Sequence, residues 1–233
     1  MPNIFYCTTE DKTANFDEHE TNHLKVVRKN VGDEVFCTDG KGYKYTVKLN
    51  KIGKKRSFGQ ILESKYIEDR NPFKLILFAP SGKWERLRWL LEKSVELGVD
   101  KVFITKTAFS NRNYTNKKEK IELVIRDSCK QCIRYNFPEF EIIDFANIFK
   151  FTPKNTFFLD FNGKNFPENI ESDVALIVGP EGGFTEDEIN LLRKNFKSLT
   201  LGKKILRFET AALVSLSYFA IKLSKIWKGW CND

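Results

Sequence analysis

At 233 residues, with 41% hydrophobic and 30% charged residues, the chain is too apolar to be disordered and long enough to bury two cores. Its formal charge of +8 falls in local clusters rather than a polybasic tail, which makes nucleic-acid backbone a suitable partner. No stretch reaches membrane-spanning length without a charge and no charged-then-apolar leader opens the chain. The five cysteines have no even spacing, so a cytoplasmic protein with reduced thiols is expected.

Residues 4–8, 34–39, 45–52 and 59–66 carry short β-rich patterns separated by Gly-Asp, Asp-Gly and Gly-Lys-Lys turns, which predicts a small barrel over residues 1–70. Asp69-Arg70-Asn71-Pro72 is polar and ends in proline, and the domain boundary is placed there, with residues 71–233 as the second domain. Beyond it strands and helices alternate: strands at 75–79, 102–105, 157–161 and 174–178, helices at 83–97 and 118–134. Alternation of this kind implies a mainly parallel sheet. Cys129 and Cys132 form a CxxC, but no second pair of ligands has zinc spacing, and no metal is expected. The predicted helix at 208–226 is apolar nearly all round, more than one subunit covers, so a dimer interface is expected there.

The segment from Leu176 to Glu188, LIVGPEGGFTEDE, joins an apolar strand, a glycine turn and a capped helix in thirteen residues. Thr185 and Glu188 have the capping-box spacing, and Glu186 and Asp187 suit the helix dipole. Gly179, Gly182 and Gly183 expose main-chain groups to a ligand. A phosphate cradle offers Lys with Ser or Thr; here the turn carries Glu181 and the helix opens with three acids. A neutral or locally cationic cofactor fits better, and the sulfonium of S-adenosylmethionine is such a group. A second corner, LGKKILRFETAA from Leu201 to Ala212, repeats the plan, and the two are expected at neighbouring strand ends.

Together these strings resemble the SPOUT methyltransferases, and specifically the RsmE family, which methylates N3 of a uridine in the 16S RNA of the small ribosomal subunit. The likeness extends to His23–Arg28 with Gly32-Asp33 and Asp39-Gly40-Lys41-Gly42, to Lys93–Val99, and to Gln131, Arg134 and Pro138. Lys130 departs from the pattern, standing where the family has Glu, and Phe208 replaces a small polar residue. The resemblance implies a SPOUT-type α/β domain with a mainly parallel sheet and a C-terminal trefoil knot, behind a small N-terminal PUA-like β-barrel. It also implies a homodimer, S-adenosylmethionine as cofactor, and 16S ribosomal RNA or the small subunit as partner. By matched position the cofactor pocket is assigned to Leu159, Val178, Gly179, Gly182, Leu201, Gly202, Ile205 and Leu206. Arg207 is placed to stabilise charge on the uracil or grip a phosphate, and Glu181 or Glu209 to accept the N3 proton. The barrel is expected to bind RNA through Arg28, Lys51, Lys54, Lys55 and Arg56, with Gln131 and Arg134, on the middle helix, reaching the target from a partner subunit. The motifs leave two alternatives, a related SPOUT enzyme acting on another RNA or a ribose hydroxyl, and a non-catalytic ribosome-assembly factor.

Overall fold

A computed structural model describes residues 4–68, 71–110 and 112–225; Asp69 and Arg70 of the expected boundary, Cys231 and the end of the expected 208–226 helix lie outside them. The chain forms two compact units, Met1–Arg70 with Arg126–Phe137, and Asn71–Ile125 with Pro138–Asp233.

In the first unit the strands are β1 (Ile4–Tyr6), β2 (Thr8–Glu10), β3 (Thr13–Phe16), β4 (Glu34–Thr38), β5 (Tyr43–Ile52) and β6 (Ser57–Tyr66), with helix α1 (Glu18–Val26) between β3 and β4. They make one sheet in the order β1-β4-β5-β6-β3-β2. Its two edge strands, β1 and β2, are separated in sequence only by Cys7, and two peptide steps span less than about 8 Å. The sheet therefore curls until the end of one edge strand reaches the start of the other, which makes a partly closed barrel. Inward-pointing residues on alternate positions, among them Phe5, Phe16, Val35, Cys37, Val47 and Leu49, fill it.

Two features of this unit depart from the sequence expectation. Residues 18–26 are helical: Asp17 accepts from the Glu20 N–H at 2.9 Å as an N-cap, and the three buried residues are Glu20, Thr21 and Leu24, so no apolar stripe announces the helix. Segment 126–137, assigned by sequence to the second domain, packs with the first. Main-chain hydrogen bonds between Gly40, Gly42 and residues 135–137 hold its end, and ion pairs hold its start. Lys130 lies 2.5 Å from Glu20 and 2.8 Å from Asp127, and Arg126 lies 2.6 Å from Asp17.

The second unit contains β7 (Leu75–Pro80), α2 (Trp84–Glu96), β8 (Lys101–Lys106), the start of α3 (Lys118–Gln131), β9 (Glu139–Asp144), β10 (Asn155–Lys164), β11 (Val174–Ile177), α4 (Glu186–Asn195), β12 (Lys197–Leu199) and α5 (Phe208–Lys222). Its six strands run β12-β10-β11-β7-β8-β9, and every neighbouring pair is parallel. The central β11 is buried at all four positions, as a strand covered on both faces must be. On α2 the buried residues Leu87, Leu90, Leu91, Ser94 and Val95 follow helical spacing. Among the described residues no helix is long and apolar enough to cross a membrane.

Candidate active site

The sheet order places the two glycine corners at the ends of β11 and β12, with β10 between them rather than side by side. This changes the site. Phe158 pairs with Ile177 on one side, Leu159 with Leu199 on the other, and Lys164 pairs with Leu199 again. Residues 160–163 thus loop out of the ladder and return to the same partner. The Thr200 N–H donates to the Lys164 carbonyl at 2.9 Å and the Thr200 hydroxyl to the Phe161 carbonyl at 3.2 Å, fixing both ends of the excursion.

An apolar cavity lies between this excursion and the second corner, lined by Leu159, Phe161, Leu199, Leu201, Leu206 and Ala211, with Asp160, Thr200, Gly202 and Lys204 at its polar edges. Arg193 donates to Oδ2 of Asp160 at 2.8 and 3.1 Å. Gly202 has φ +94°, and a Cβ built on it meets nothing within 4 Å. Large apolar side chains crowd the rim, with Phe161 64% and Ile205 88% exposed, a pattern typical of surface that something else covers.

Of the residues assigned to the pocket, Leu159, Leu201, Gly202 and Leu206 line this cavity and Ile205 lies on the same loop. Val178, Gly179 and Gly182 are not in its walls. Val178 is buried just beyond β11, its N–H donating to the Phe78 carbonyl. A Cβ on Gly179 would sit 3.0 Å from the Phe184 ring, and one on Gly182 would sit 3.2 Å from Cβ of Phe109. The absence of a side chain at these two glycines makes room for the protein's own aromatic residues. The helix after them starts as expected: Thr185 and Glu188 form a reciprocal capping box, and the Glu188 carboxylate also accepts from the Ala108 N–H at 2.8 Å.

The carboxylates are arranged by a residue that sequence reasoning missed. Arg86 on α2 donates to Oε1 of Glu181 at 2.8 Å, and its Nε lies 3.7 Å from Oε1 of Glu209. Glu209 is therefore paired with Arg86 and not with Arg207, which is exposed at the N-cap of α5. The negative charge of the first corner is likewise balanced. Nothing in the spacing of Arg86 could connect it to positions 181 and 209.

The structure also redistributes the expected RNA contacts. Lys51, Lys54, Lys55 and Arg56 are exposed at the β5–β6 turn, and the Lys25 ammonium donates to the Lys54 carbonyl at 3.0 Å, which brings the end of α1 alongside. Arg28 follows α1 in a left-handed conformation, φ 57°. Gln131 and Arg134 belong to the first unit with these cations and not to the unit that carries the cavity. Arg134 donates to the Asn136 carbonyl at 2.7 Å. Among the described residues His19, Glu20 and Asp127 bring potential metal ligands together, but the Lys130 ammonium supplies the positive charge there. Cys129 is buried, its thiol pushed up by desolvation, and Cys132 is exposed with both sulfurs reduced.

Both units have counterparts among known proteins. A family model described as an RNA methyltransferase domain matches residues 69–220, and one described as an RNA methyltransferase PUA domain matches residues 16–62. A crystal structure of a predicted RNA methyltransferase from Thermotoga maritima superposes with a TM-score of 0.85 at 38% identity, covering 97% of this chain and 100% of that one. Ribosomal RNA small subunit methyltransferase E of Neisseria gonorrhoeae, solved bound to S-adenosyl methionine, gives 0.83 at 25% identity over 95% of this chain and 98% of its own. The protein of the same name from Buchnera aphidicola subsp. Schizaphis graminum is 27% identical over 97% of this chain and 98% of its length. The fold is thus that of an α/β RNA methyltransferase carrying a PUA barrel. The chain belongs to the ribosomal RNA small subunit methyltransferase E family, the RsmE family.

Gly202 offers the cleanest probe of the cavity. Gly202→Val places a branched side chain in open space at the rim, with backbone strain of about 2 to 3 kcal/mol from the positive φ. Affinity for S-adenosylmethionine by calorimetric titration is expected to fall at least about tenfold while the melting temperature drops by about 8 °C.

Proposed function

We propose that the protein uses S-adenosylmethionine to methylate N3 of a uridine in 16S ribosomal RNA, acting in the cytoplasm as a homodimer whose C-terminal strands and turns thread the trefoil knot of its family. The observation that carries this reading is the apolar cavity between the β10 excursion and the second corner, floored by Leu159 and Leu199 and edged by Gly202. Such walls suit an adenosyl group, and the helix after the first corner opens with Glu186, Asp187 and Glu188, where a polyphosphate would be repelled. The names of the relatives and the cofactor bound in one of them support the choice of substrate and methyl donor. The exposed Val214 (49%) and Ile221 (67%) on α5 support the dimer.

When bound, the cofactor supplies an activated methyl carbon and a neutral thioether leaving group. The protein's own residues do the rest. Uridine N3 carries a hydrogen and becomes a nucleophile only on losing it, so the base must be held in line and a proton acceptor must stand beside it. We assign that role to Glu181 or Glu209, the two carboxylates that meet Arg86. Arg207, exposed ahead of α5, stabilises negative charge on a uracil oxygen or grips a neighbouring phosphate. The cations of the barrel, Arg28, Lys51, Lys54, Lys55 and Arg56, hold the RNA together with Gln131 and Arg134, and the target base is an unpaired or extruded one.

Calorimetric titration with S-adenosylmethionine tests the reading against a non-catalytic assembly factor: saturable heat is expected, and its absence from folded protein rejects the enzyme. For Arg207→Ala, turnover is expected to fall about 100-fold with cofactor affinity retained, as measured by single-turnover methylation; unaltered turnover removes its role.

A further inference from the structure

Lys117, Lys118 and Lys120 form a run of exposed cations between Tyr114 and the first turn of α3. Two of them are held in place by aromatic faces. The Lys120 ammonium lies 4.2 Å from the centroid of the Trp84 ring and the Lys117 ammonium 5.7 Å from that of Tyr114, while the two rings are 5.9 Å apart. Among the described residues none of the three forms an ion pair with a carboxylate, the neighbouring Glu85 and Glu119 included. An aromatic face orders an ammonium without neutralising it, so these long side chains are partly fixed before a ligand arrives and keep their full charge. Such a run suits an anion with several charges in a row.

Its place in the fold says which anion. The run follows β8 and starts the helix that returns towards β9, so it stands at the edge where the parallel strands end. The Tyr114 hydroxyl beneath it donates to the Gly82 carbonyl at 2.6 Å. A Cβ on Gly82 would lie 3.0 Å from the Phe208 ring and 3.6 Å from Oε2 of Glu181. Phe208 opens α5, and Ala211, three residues on, is in the wall of the apolar cavity. About one helical turn, roughly 5.4 Å, therefore separates the packing under the lysines from that cavity. An anion at the lysines lies beside a base presented there, as the phosphates flanking that base in its own strand do.

We infer that Lys117, Lys118 and Lys120, ordered by Trp84 and Tyr114, bind backbone phosphates of single-stranded RNA next to the nucleotide that is methylated. The inference rests on the methyltransferase reading above and gives the second unit an RNA contact of its own, in addition to the cations of the barrel.

The test is binding of a labelled single-stranded oligouridine by the full-length protein over a range of salt concentrations, with methyl transfer to small-subunit RNA measured alongside. The triple variant Lys117→Gln, Lys118→Gln, Lys120→Gln is expected to make the slope of log affinity against log salt shallower by about 2, at about 0.7 per phosphate contact, and to weaken binding at least about tenfold near 0.1 M salt. The KM for RNA is expected to rise far more than kcat falls, with affinity for S-adenosylmethionine retained. Arg at the same three positions keeps the charge and is expected to keep the slope. Gln at Lys150, Lys154 and Lys194, exposed cations at the edge where the strands begin, removes the same net charge and is expected to leave the slope within about 0.5 of wild type. A slope within about 0.5 of wild type in the first variant, or a matching loss in the arginine variant or the control, overturns the inference. If the triple variant fails to fold, Lys118→Gln, which lies over neither ring, decides: a slope shallower by about 0.7 supports the inference and an unchanged one overturns it. Wild-type protein that binds no RNA rejects the underlying reading as well; wild-type binding that the substitutions leave unaltered rejects this inference alone.

Discussion

Gly163→Ala is expected to lower the melting temperature of the protein by about 10 °C and to remove measurable binding of S-adenosylmethionine. Gly163 closes the excursion of β10, and a Cβ there would lie 2.4 Å from the Leu199 carbonyl carbon, 2.6 Å from its oxygen and 2.8 Å from its Cα. All three are backbone atoms, so no side chain can swing aside. Either β12 moves or the loop of residues 160–163 lifts, and the Thr200 hydrogen bonds to Lys164 and Phe161 break with it. Overpacking against fixed backbone costs about 3 kcal/mol, which in a protein of this size is a shift of about 6 to 12 °C. The cavity walls Leu159, Asp160, Phe161, Leu199 and Thr200 all belong to the displaced pieces. A thermal melt and a titration check the two halves of the prediction, and intact binding in a destabilised variant removes the excursion from the cofactor site.

Lys130→Met is expected to destabilise the first unit by about 3 kcal/mol at neutral pH, because it strands a carboxylate with no access to water. Glu20 is 0% exposed, with Lys130 at 2.5 Å; without that ammonium it keeps the Tyr6 N–H at 3.2 Å and the more distant Arg126 Nε at 3.7 Å and His23 ring at 3.8 Å. Asp127 loses the same ammonium at 2.8 Å. Adding Glu20→Gln removes the stranded charge, so the double variant is expected to recover much of the loss; a double variant as unstable as the single one contradicts the account. The pH dependence carries a definite sign. Burial pushes the Glu20 carboxyl up, but the His23 ring, Lys130 and Arg126 outweigh it and hold it below the ordinary 4.5. A depressed value in the fold gives stability that is full above about pH 4.5 and lost as pH falls through the folded value. Urea unfolding midpoints of wild type and Lys130→Met are therefore expected to differ widely at pH 7 and to converge in acid.

The second unit was largely legible because its elements obey one period each. Leu87, Leu91 and Val95 repeat at helical steps, β11 is a run of buried apolar residues, and Thr185 with Glu188 announces α4 three residues ahead of its packing. What stayed hidden depends on pairings across the chain. α1 buries Glu20 and Thr21 behind ion pairs and a hydroxyl bond to Ser57, so its pattern looks polar. Helix α3 yields its last turns to the first unit through Lys130, a residue visible in the sequence only as a departure from the family pattern. In the site, the glycines at 179 and 182 were legible as glycines but not in their purpose, since Phe184 and Phe109 arrive from outside the turn. Gly163 and Arg86 carried no local signal: one matters because β10 returns to Leu199, the other because α2 passes both corners.

The central claim is that the cavity beside the second corner presents a methyl group to uridine N3. It is tested most directly by incubating the purified protein with S-adenosylmethionine carrying an isotopic label in its methyl group and with small ribosomal subunits, or their RNA, from cells that lack the protein, followed by mass analysis of the nucleosides. The account predicts label in N3-methyluridine, absent when Gly202→Val replaces the wild-type protein. Label in ribose-methylated nucleosides, or none in RNA that wild-type protein binds, contradicts it.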